Sequence, residues 1–209
     1  MSGAKNNNGK LFVISAPSGA GKTTLVREIM SADPSLQFSV SYTTRPQRHN
    51  EAEGEAYHFV SKEVFAGMLA DGDFLEHAEV FDNDYGTSRH SVKELLASGS
   101  NVLLEIDWQG AEQVRRNMPE CETIFILPPS VTVLEKRLRG RATDSDDVIA
   151  RRMADSLADL GHWANFNYAV INDELAQAVG ALQTIIAGNG GAHKTTADSI
   201  KDAAKQLLN

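Results

Sequence analysis

The chain has 209 residues, 20 Lys+Arg against 28 Asp+Glu, and a formal net charge of −8. With 42% hydrophobic and 23% charged residues it has a globular composition, neither disordered nor collagen-like, and it is long enough to bury most of its apolar surface without staples. The acidic balance argues against general duplex DNA binding, which leaves a basic footprint, and the single cysteine, Cys121, excludes an internal disulfide or a multi-cysteine zinc site.

Residues 1–10 are polar, without the apolar run of a signal peptide, and no run of 18 apolar residues occurs. A cytoplasmic protein with no membrane partner is the expectation. LFVIS (Leu11–Ser15) reads as a buried strand, followed by APSGAGKTT and a helical LVREIMSAD that Pro34 should stop. FSVSYTT (Phe38–Thr44) alternates like one strand, RPQRHNEAEGEA is a polar loop, and YHFVS (Tyr57–Ser61) is another strand. KEVFAGMLADGD is a short helix ending near Gly72, FLEHAEVF (Phe74–Phe81) a strand, NDYGTSR a turn, and HSVKELLASG a helix ending at Gly99.

NVLLEID (Asn101–Asp107) is an apolar run ending in acids, and WQGAEQVRRNM is a helix stopped by Pro119. TIFILPP (Thr123–Pro129) is a further buried strand, and SVTVLEKRLRGR is a charged helix capped by Ser130. ATDSDD is a loop, VIARRMADSLADLGHWANF a long amphipathic helix, YAVIND (Tyr168–Asp173) a strand, and ELAQAVGALQTIIAG a helix. Residues 188–196 read as a flexible link to a last helix, DSIKDAAKQLL. Strands alternating with helices predict an α/β fold with a parallel sheet flanked by helices. The strand-rich stretch from about 38 to 90 breaks that rhythm and reads as an inserted antiparallel sub-domain.

The sharpest motif is Ala16-Pro17-Ser18-Gly19-Ala20-Gly21-Lys22-Thr23-Thr24. It matches the P-loop pattern G-x-x-x-x-G-K-[ST] except for Ala at the first position. Gly19 and Gly21 let backbone N–H groups turn toward phosphate oxygens. The helix N-terminus adds partial positive charge, Lys22 supplies a point charge for the β- and γ-phosphates, and the Thr23 hydroxyl suits Mg²⁺. A plain strand-to-helix turn would need no Lys-Thr pair at this spacing.

Beyond this loop the chain resembles the guanylate kinase family. VSYTTRPQR, YHFVS, FLEHAEVF, YGTS, LLEIDWQG, FILPPS, RLRGR and VIND recur in order, from about residue 10 to 187. The resemblance implies a P-loop NTPase core carrying an antiparallel GMP-binding sub-domain and a helical lid. Its divisions would be 1–37 for the first part of the core, 38–92 for GMP binding, 93–129 for the core, 130–157 for the lid, and 158–209 for the core and C-terminal tail. The implied activity is Mg²⁺-dependent phosphoryl transfer from ATP to GMP in purine metabolism, with dGMP left open as a second substrate and no nucleic-acid partner.

On that resemblance Glu76 is the guanine-reading acid, with the Ser41 and Thr87 hydroxyls near the base and Gly86 beside them. Guanine offers N1–H and an amino group as adjacent donors that one carboxylate can accept, and adenine does not. Arg45, Arg48, Tyr57 and Tyr85 match the ligands of the GMP phosphate, and Glu51 the acid that orients the arginines. The family usually has Gly where this chain has Asn50. Glu105 and Asp107 end their strand where a Walker-B-like partner of Mg²⁺ belongs, directly or through water, with Asp107 also a candidate for GMP; the family more often has Asp where Glu105 stands. Arg137, Arg141 and Arg152 match lid arginines that close over the phosphates, whereas Arg139 reads as solvent-exposed; Asn172 matches a position near adenine. Two other readings stay open: another small-substrate P-loop kinase, such as a ribose-bisphosphate or pyrimidine monophosphate kinase, and a non-catalytic guanylate-kinase-like binding module.

The net charge hides a pattern. Residues 1–48 sum to +4 and 136–152 to +3, whereas 49–84 sum to −9. Basic groups gather where phosphates are expected, and acidic ones in the segment expected to read the base.

Overall fold

In the computed structural model, residues 8–80, 82–140 and 146–208 are described. Leu11–Ser15 is buried at every position and forms β1, and the P-loop leads from it into α1 (Lys22–Ala32). The remaining elements follow as β2 (Leu36–Phe38), β3 (Tyr42–Thr43), β4 (His58–Phe59), α2 (Lys62–Ala70), β5 (Phe74–Val80), β6 (Asn83–Ser88), α3 (Arg89–Ala97), β7 (Asn101–Glu105), α4 (Trp108–Asn117), β8 (Glu122–Leu127), α5 (Val131–Arg139), α6 (Asp146–Leu160), β9 (Tyr168–Ile171), α7 (Leu175–Ile186) and α8 (Asp198–Leu208). The result is an α/β fold with a five-stranded sheet of order β2-β7-β1-β8-β9 and a second sheet of order β4-β3-β6-β5. No helix among the described residues is long and apolar enough to cross a membrane.

Tertiary contacts divide the chain into two units, one from Met1–Phe12, Pro34–Leu104 and Gln109–Cys121, the other from Val13–Asp33, Glu105–Trp108 and Glu122–Asn209. In the first unit β2 and β7 pair in parallel, Leu36 against Asn101. The smaller sheet is built on β6, which pairs antiparallel with both β3 and β5. Phe65 of α2 stacks on Phe74 of β5 with ring centroids 4.4 Å apart, closing its core. Gly86 is required by this packing, because a Cβ there would stand 2.7 Å from the Phe74 ring.

Two expectations are corrected in this unit. NDYGTS is a strand rather than a turn: Asp84 and Tyr85 face Glu79 and Ala78 across the ladder. Just before it, Asp82 takes a left-handed φ of 62°. Asn, Asp and Gly signal turns because they tolerate that conformation, but pairing on both edges overrides the local preference. FSVSYTT is not one strand. Phe38 belongs to β2 and Tyr42 to β3, in different sheets. Alternation of apolar and polar residues continues through the switch and so does not mark it.

In the second unit β8 and β9 pair in parallel from Ile124–Tyr168 to Leu127–Ile171. Phe125, Ile126, Leu127 and Leu134 are fully buried there. Ser130 caps α5, its Oγ accepting from the Val133 N–H at 3.1 Å. Residues 188–196 are packed rather than a loose link. Gly190 begins a 3-10 turn through His193, and Thr195 is 8% exposed with its hydroxyl donating to the Phe166 carbonyl at 2.7 Å. The run of glycines suggests freedom, but Gly190 serves close approach: a Cβ there would lie 2.9 Å from both Ile185 and Tyr168.

Candidate active site

The loop of residues 16–21 turns on two glycines in the left-handed region, Gly19 at φ 85° and Gly21 at φ 92°. Side chains rarely adopt this conformation, and a Cβ on Gly21 would also collide with the Asn172 amide. Helix α1 begins at Lys22 with no side-chain cap and no acid in its first turn. Its N-terminus is therefore left to the kind of anion that helix N-termini bind. Lys22 donates from Nζ to the Ile106 carbonyl at 2.8 Å. Thr23 donates from Oγ1 to Glu105 Oε1 at 2.6 Å.

The loop is held from behind by side chains from three later elements. The Asn172 Nδ2 donates to the Ala20 carbonyl at 2.8 Å. Arg137 donates to the same oxygen at 3.3 Å and to the Asn172 carbonyl at 3.1 Å. Ser156, fully buried in α6, donates to the Ser18 carbonyl at 3.1 Å. Carbonyls turned toward these donors cannot face a phosphate. A cavity of about 350 Å³ adjoins the loop, with Gly21, Thr24, Arg137, Asn172 and Leu175 among its walls.

The oxygens of Thr23, Glu105 and Asp107 fit a hard divalent cation. Among the described residues no group of three or more His, Cys, Asp or Glu is arranged for a metal. That donor set, two carboxylates and a hydroxyl, suits Mg²⁺, which is bound through one or two carboxylates with substrate phosphates and water rather than in an all-protein cage.

Of the expected lid arginines, Arg137 sits against the P-loop as described and Arg152 is half-buried on α6. Arg141 lies outside the described residues. Arg139 pairs with Glu135 at 3.0 Å and Asp146 at 2.9 Å, with its side chain 51% exposed.

In the first unit, Glu76 is 5% exposed. Thr87, directly across the ladder, donates to its Oε1 at 2.6 Å. The Ser41 hydroxyl lies 3.4 Å from that of Thr87. Three residues expected around a base thus form one chain, on β5, β6 and the segment before β3.

In the same unit Arg45 donates to Glu51 at 2.8 Å, and the Arg48 backbone N–H donates to the other Glu51 oxygen at 2.9 Å. These bonds hold the Glu51 carboxyl below the usual carboxylate range. Glu51, and more weakly Tyr85, push Arg45 further up. The Arg45 guanidinium also lies 5.4 Å from the Tyr57 ring centroid and 5.7 Å from that of Phe59. Arg48 keeps its side chain 68% exposed. Asn50 does not prevent the Glu51 contacts.

The guanylate kinase family model matches residues 8–189. The chain belongs to the guanylate kinase family. Among its guanylate kinase relatives, that of Methylococcus capsulatus is 53% identical over 178 residues, covering 85% of this chain and 87% of the relative. That of Hydrogenovibrio crunogenus is 52% identical over 181 residues, covering 87% and 88%. The crystal structure of guanylate kinase from Anaplasma phagocytophilum superposes with a TM-score of 0.71 at 29% identity, covering 88% of this chain and 87% of that one.

Sequence reasoning missed several groups around these residues. Ser156 carried no signal, since one small polar residue on a long helix reads as solvated. Phe59 gave only a strand signal. Trp108, the residue after Asp107, stacks on His162 with centroids 3.5 Å apart and donates to Asp159 at 2.9 Å. The stack on Trp108 gives His162 a packing role.

Proposed function

We propose that this guanylate kinase family member, an ATP:GMP phosphotransferase, divides the work between its two sets of side chains. The P-loop backbone, Lys22, Thr23 and Thr24 bind the ATP phosphates, with Asn172 and the cavity beside it taking the adenosine end. Glu76 accepts the N1–H and amino donors of guanine, Ser41 and Thr87 complete the polar wall with the Gly86 backbone, and Arg45, Arg48, Tyr57 and Tyr85 hold the GMP phosphate. Glu51 keeps both arginine segments in place.

The reaction forms a bond from a GMP phosphate oxygen to the γ-phosphorus as the β–γ bridging bond breaks, and ADP leaves with that electron pair. The GMP phosphate is already a nucleophile at neutral pH, so no general base is required. What the protein supplies is position and positive charge. Lys22 and Arg45 carry charge to the transferring group, with Arg137, Arg141 and Arg152 as the lid's contribution. Thr23, Glu105 and Asp107 would hold Mg²⁺, which neutralises phosphate charge when bound. Closure of residues 130–157 over the site would exclude water and suppress ATP hydrolysis. The cytoplasm, where Cys121 stays reduced and nucleotides are plentiful, is the compartment we assign.

The observation that carries the reading is the buried Glu76 carboxylate bonded to Thr87, whose hydroxyl in turn lies beside that of Ser41. A buried acid rewards a ligand that brings it two adjacent donors and discriminates against one that brings none. Coupled ADP release with GMP, dGMP, AMP, UMP and ribose bisphosphate tests it. GMP should be the best acceptor among these, and the dGMP rate decides whether the 2′-hydroxyl matters. Turnover with AMP or ribose bisphosphate and none with GMP would overturn the reading.

A further inference from the structure

Strand β5 is an edge strand of the smaller sheet, so β6 covers only one side of its backbone. The ladder shifts register between Phe74 and Glu76, which leaves Leu75 as an extra residue beside Glu76. Bulges of this kind re-aim the neighbouring side chain. Phe74, Leu75 and Glu76 are buried in succession, which a regular half-buried strand would not allow. Buried Glu76 is thus the product of an irregular backbone that the sheet alone does not fix.

Helix α4 fixes it from the uncovered side. The Gln113 Oε1 accepts from the His77 N–H at 3.2 Å, and its Nε2 donates to the His77 carbonyl at 2.9 Å. The side-chain amide thereby satisfies both backbone groups of one residue, as a neighbouring strand would. One helical turn later, Asn117 donates from Nδ2 to the Leu75 carbonyl at 2.7 Å. Residues four apart on a helix share a face, so the two amides grip the residues on either side of Glu76. All these groups belong to the same unit.

We propose that Gln113 and Asn117 are specificity-positioning residues. They hold the bulged backbone so that the Glu76 carboxylate points where two adjacent donors of a purine can both be accepted. This rests on the reading of Glu76 as the guanine-recognising acid. Without the grip, β5 relaxes toward a regular edge strand, the carboxylate swings, and the second donor of guanine loses its acceptor.

IMP tests this, because it keeps N1–H and lacks the exocyclic amino group. Gln113→Glu retains an acceptor for the His77 N–H and loses the donor to its carbonyl, and Asn117→Asp loses the donor to Leu75 at nearly constant volume. Steady-state kinetics of each variant are measured with GMP and IMP at saturating ATP, and with ATP at saturating GMP. The expected result is KM for GMP raised about tenfold, the size of one or two lost hydrogen bonds. KM for ATP should stay unchanged, and the GMP-over-IMP preference in kcat/KM should shrink by the same factor. Gln113→Leu should show the largest effect; if it does not fold, the two isosteric variants decide.

Proportional losses toward GMP and IMP, or an unchanged KM for GMP, would overturn the proposal. Glu76→Gln, run alongside, separates this from failure of the underlying reading. If Glu76→Gln leaves GMP selection intact, the reading of Glu76 and this inference fall together. If it abolishes selection while the α4 variants behave as wild type, this inference alone falls.

Discussion

Asn172 reaches back to Ala20, its side-chain amide donating to a P-loop carbonyl 152 positions earlier at 2.8 Å. The same amide occupies the space a Cβ on Gly21 would need. Asn172, just past β9, is thereby bonded to the loop at Ala20 and packed against it at Gly21. Asn172→Ala should leave the Ala20 carbonyl with only the longer contact to Arg137 and cost about 1–3 kcal/mol. The melting temperature should fall by several degrees, and KM for ATP should rise with KM for GMP unchanged. Thermal unfolding and two-substrate kinetics check both halves.

Lys22 sits at the first position of α1 and donates to the Ile106 carbonyl. Its assigned role is to meet phosphates as a point charge. Lys22→Ala should lower kcat by about 10²–10³, the scale of one lost transition-state contact. GMP affinity measured by calorimetry should stay near the wild-type value. An unchanged kcat would remove Lys22 from the mechanism.

In the proposed site Glu51 would link pH to acceptor binding. Its folded pKa is depressed below the ordinary 4.5 by Arg45 and the Arg48 N–H. The ordering of the loop that it provides is therefore fully present above the ordinary value and lost as pH falls through the lower, folded one. With the titration of the GMP phosphate divided out by comparison with Glu51→Gln, the wild-type advantage in KM for GMP should hold above the ordinary carboxylate range and disappear in stronger acid. Glu51→Gln should raise KM for GMP wherever Glu51 is ionised and converge with the wild type in strong acid.

Much of this was legible because its signals are local. The P-loop spacing, the Ser130 cap and the apolar runs of β1, β7 and β8 are each set by residues within one element. Glu76, Ser41 and Thr87 were found by motif resemblance, and their hydrogen-bonded chain depends on a cross-strand register that no single segment encodes. For the same reason NDYGTS looked like a turn: its strand character comes from β3 and β5. The grip of Gln113 and Asn117 on β5 is a contact between side chain and backbone across a sequence gap, and the i,i+4 spacing of two amides is too common to flag it. Residues 188–196 were misjudged because glycine allows close packing as readily as freedom.

Asp159 should report on the packing around Trp108. Burial is the main cause raising its pKa, and the Trp108 indole N–H opposes it. A carboxyl with a raised folded pKa stabilises most below its ordinary value, and the contribution is lost as pH rises through the folded pKa. Asp159→Asn keeps an acceptor for Trp108 and removes the buried charge. Because the group is half solvent-screened, the melting temperature at pH 7 should rise only slightly, by about 2 °C or less, and the gain should vanish in acid. A gain that persists at pH 3 would point to a cause other than charge.

The central claim is that a phosphoryl group passes directly from ATP to GMP. Phosphorus NMR of the protein with ATP, GMP and Mg²⁺ follows every product at once. ADP and GDP should appear in equal amounts, with no inorganic phosphate above the ATP-only control. ADP accompanied by inorganic phosphate, with GMP unchanged, would contradict the account.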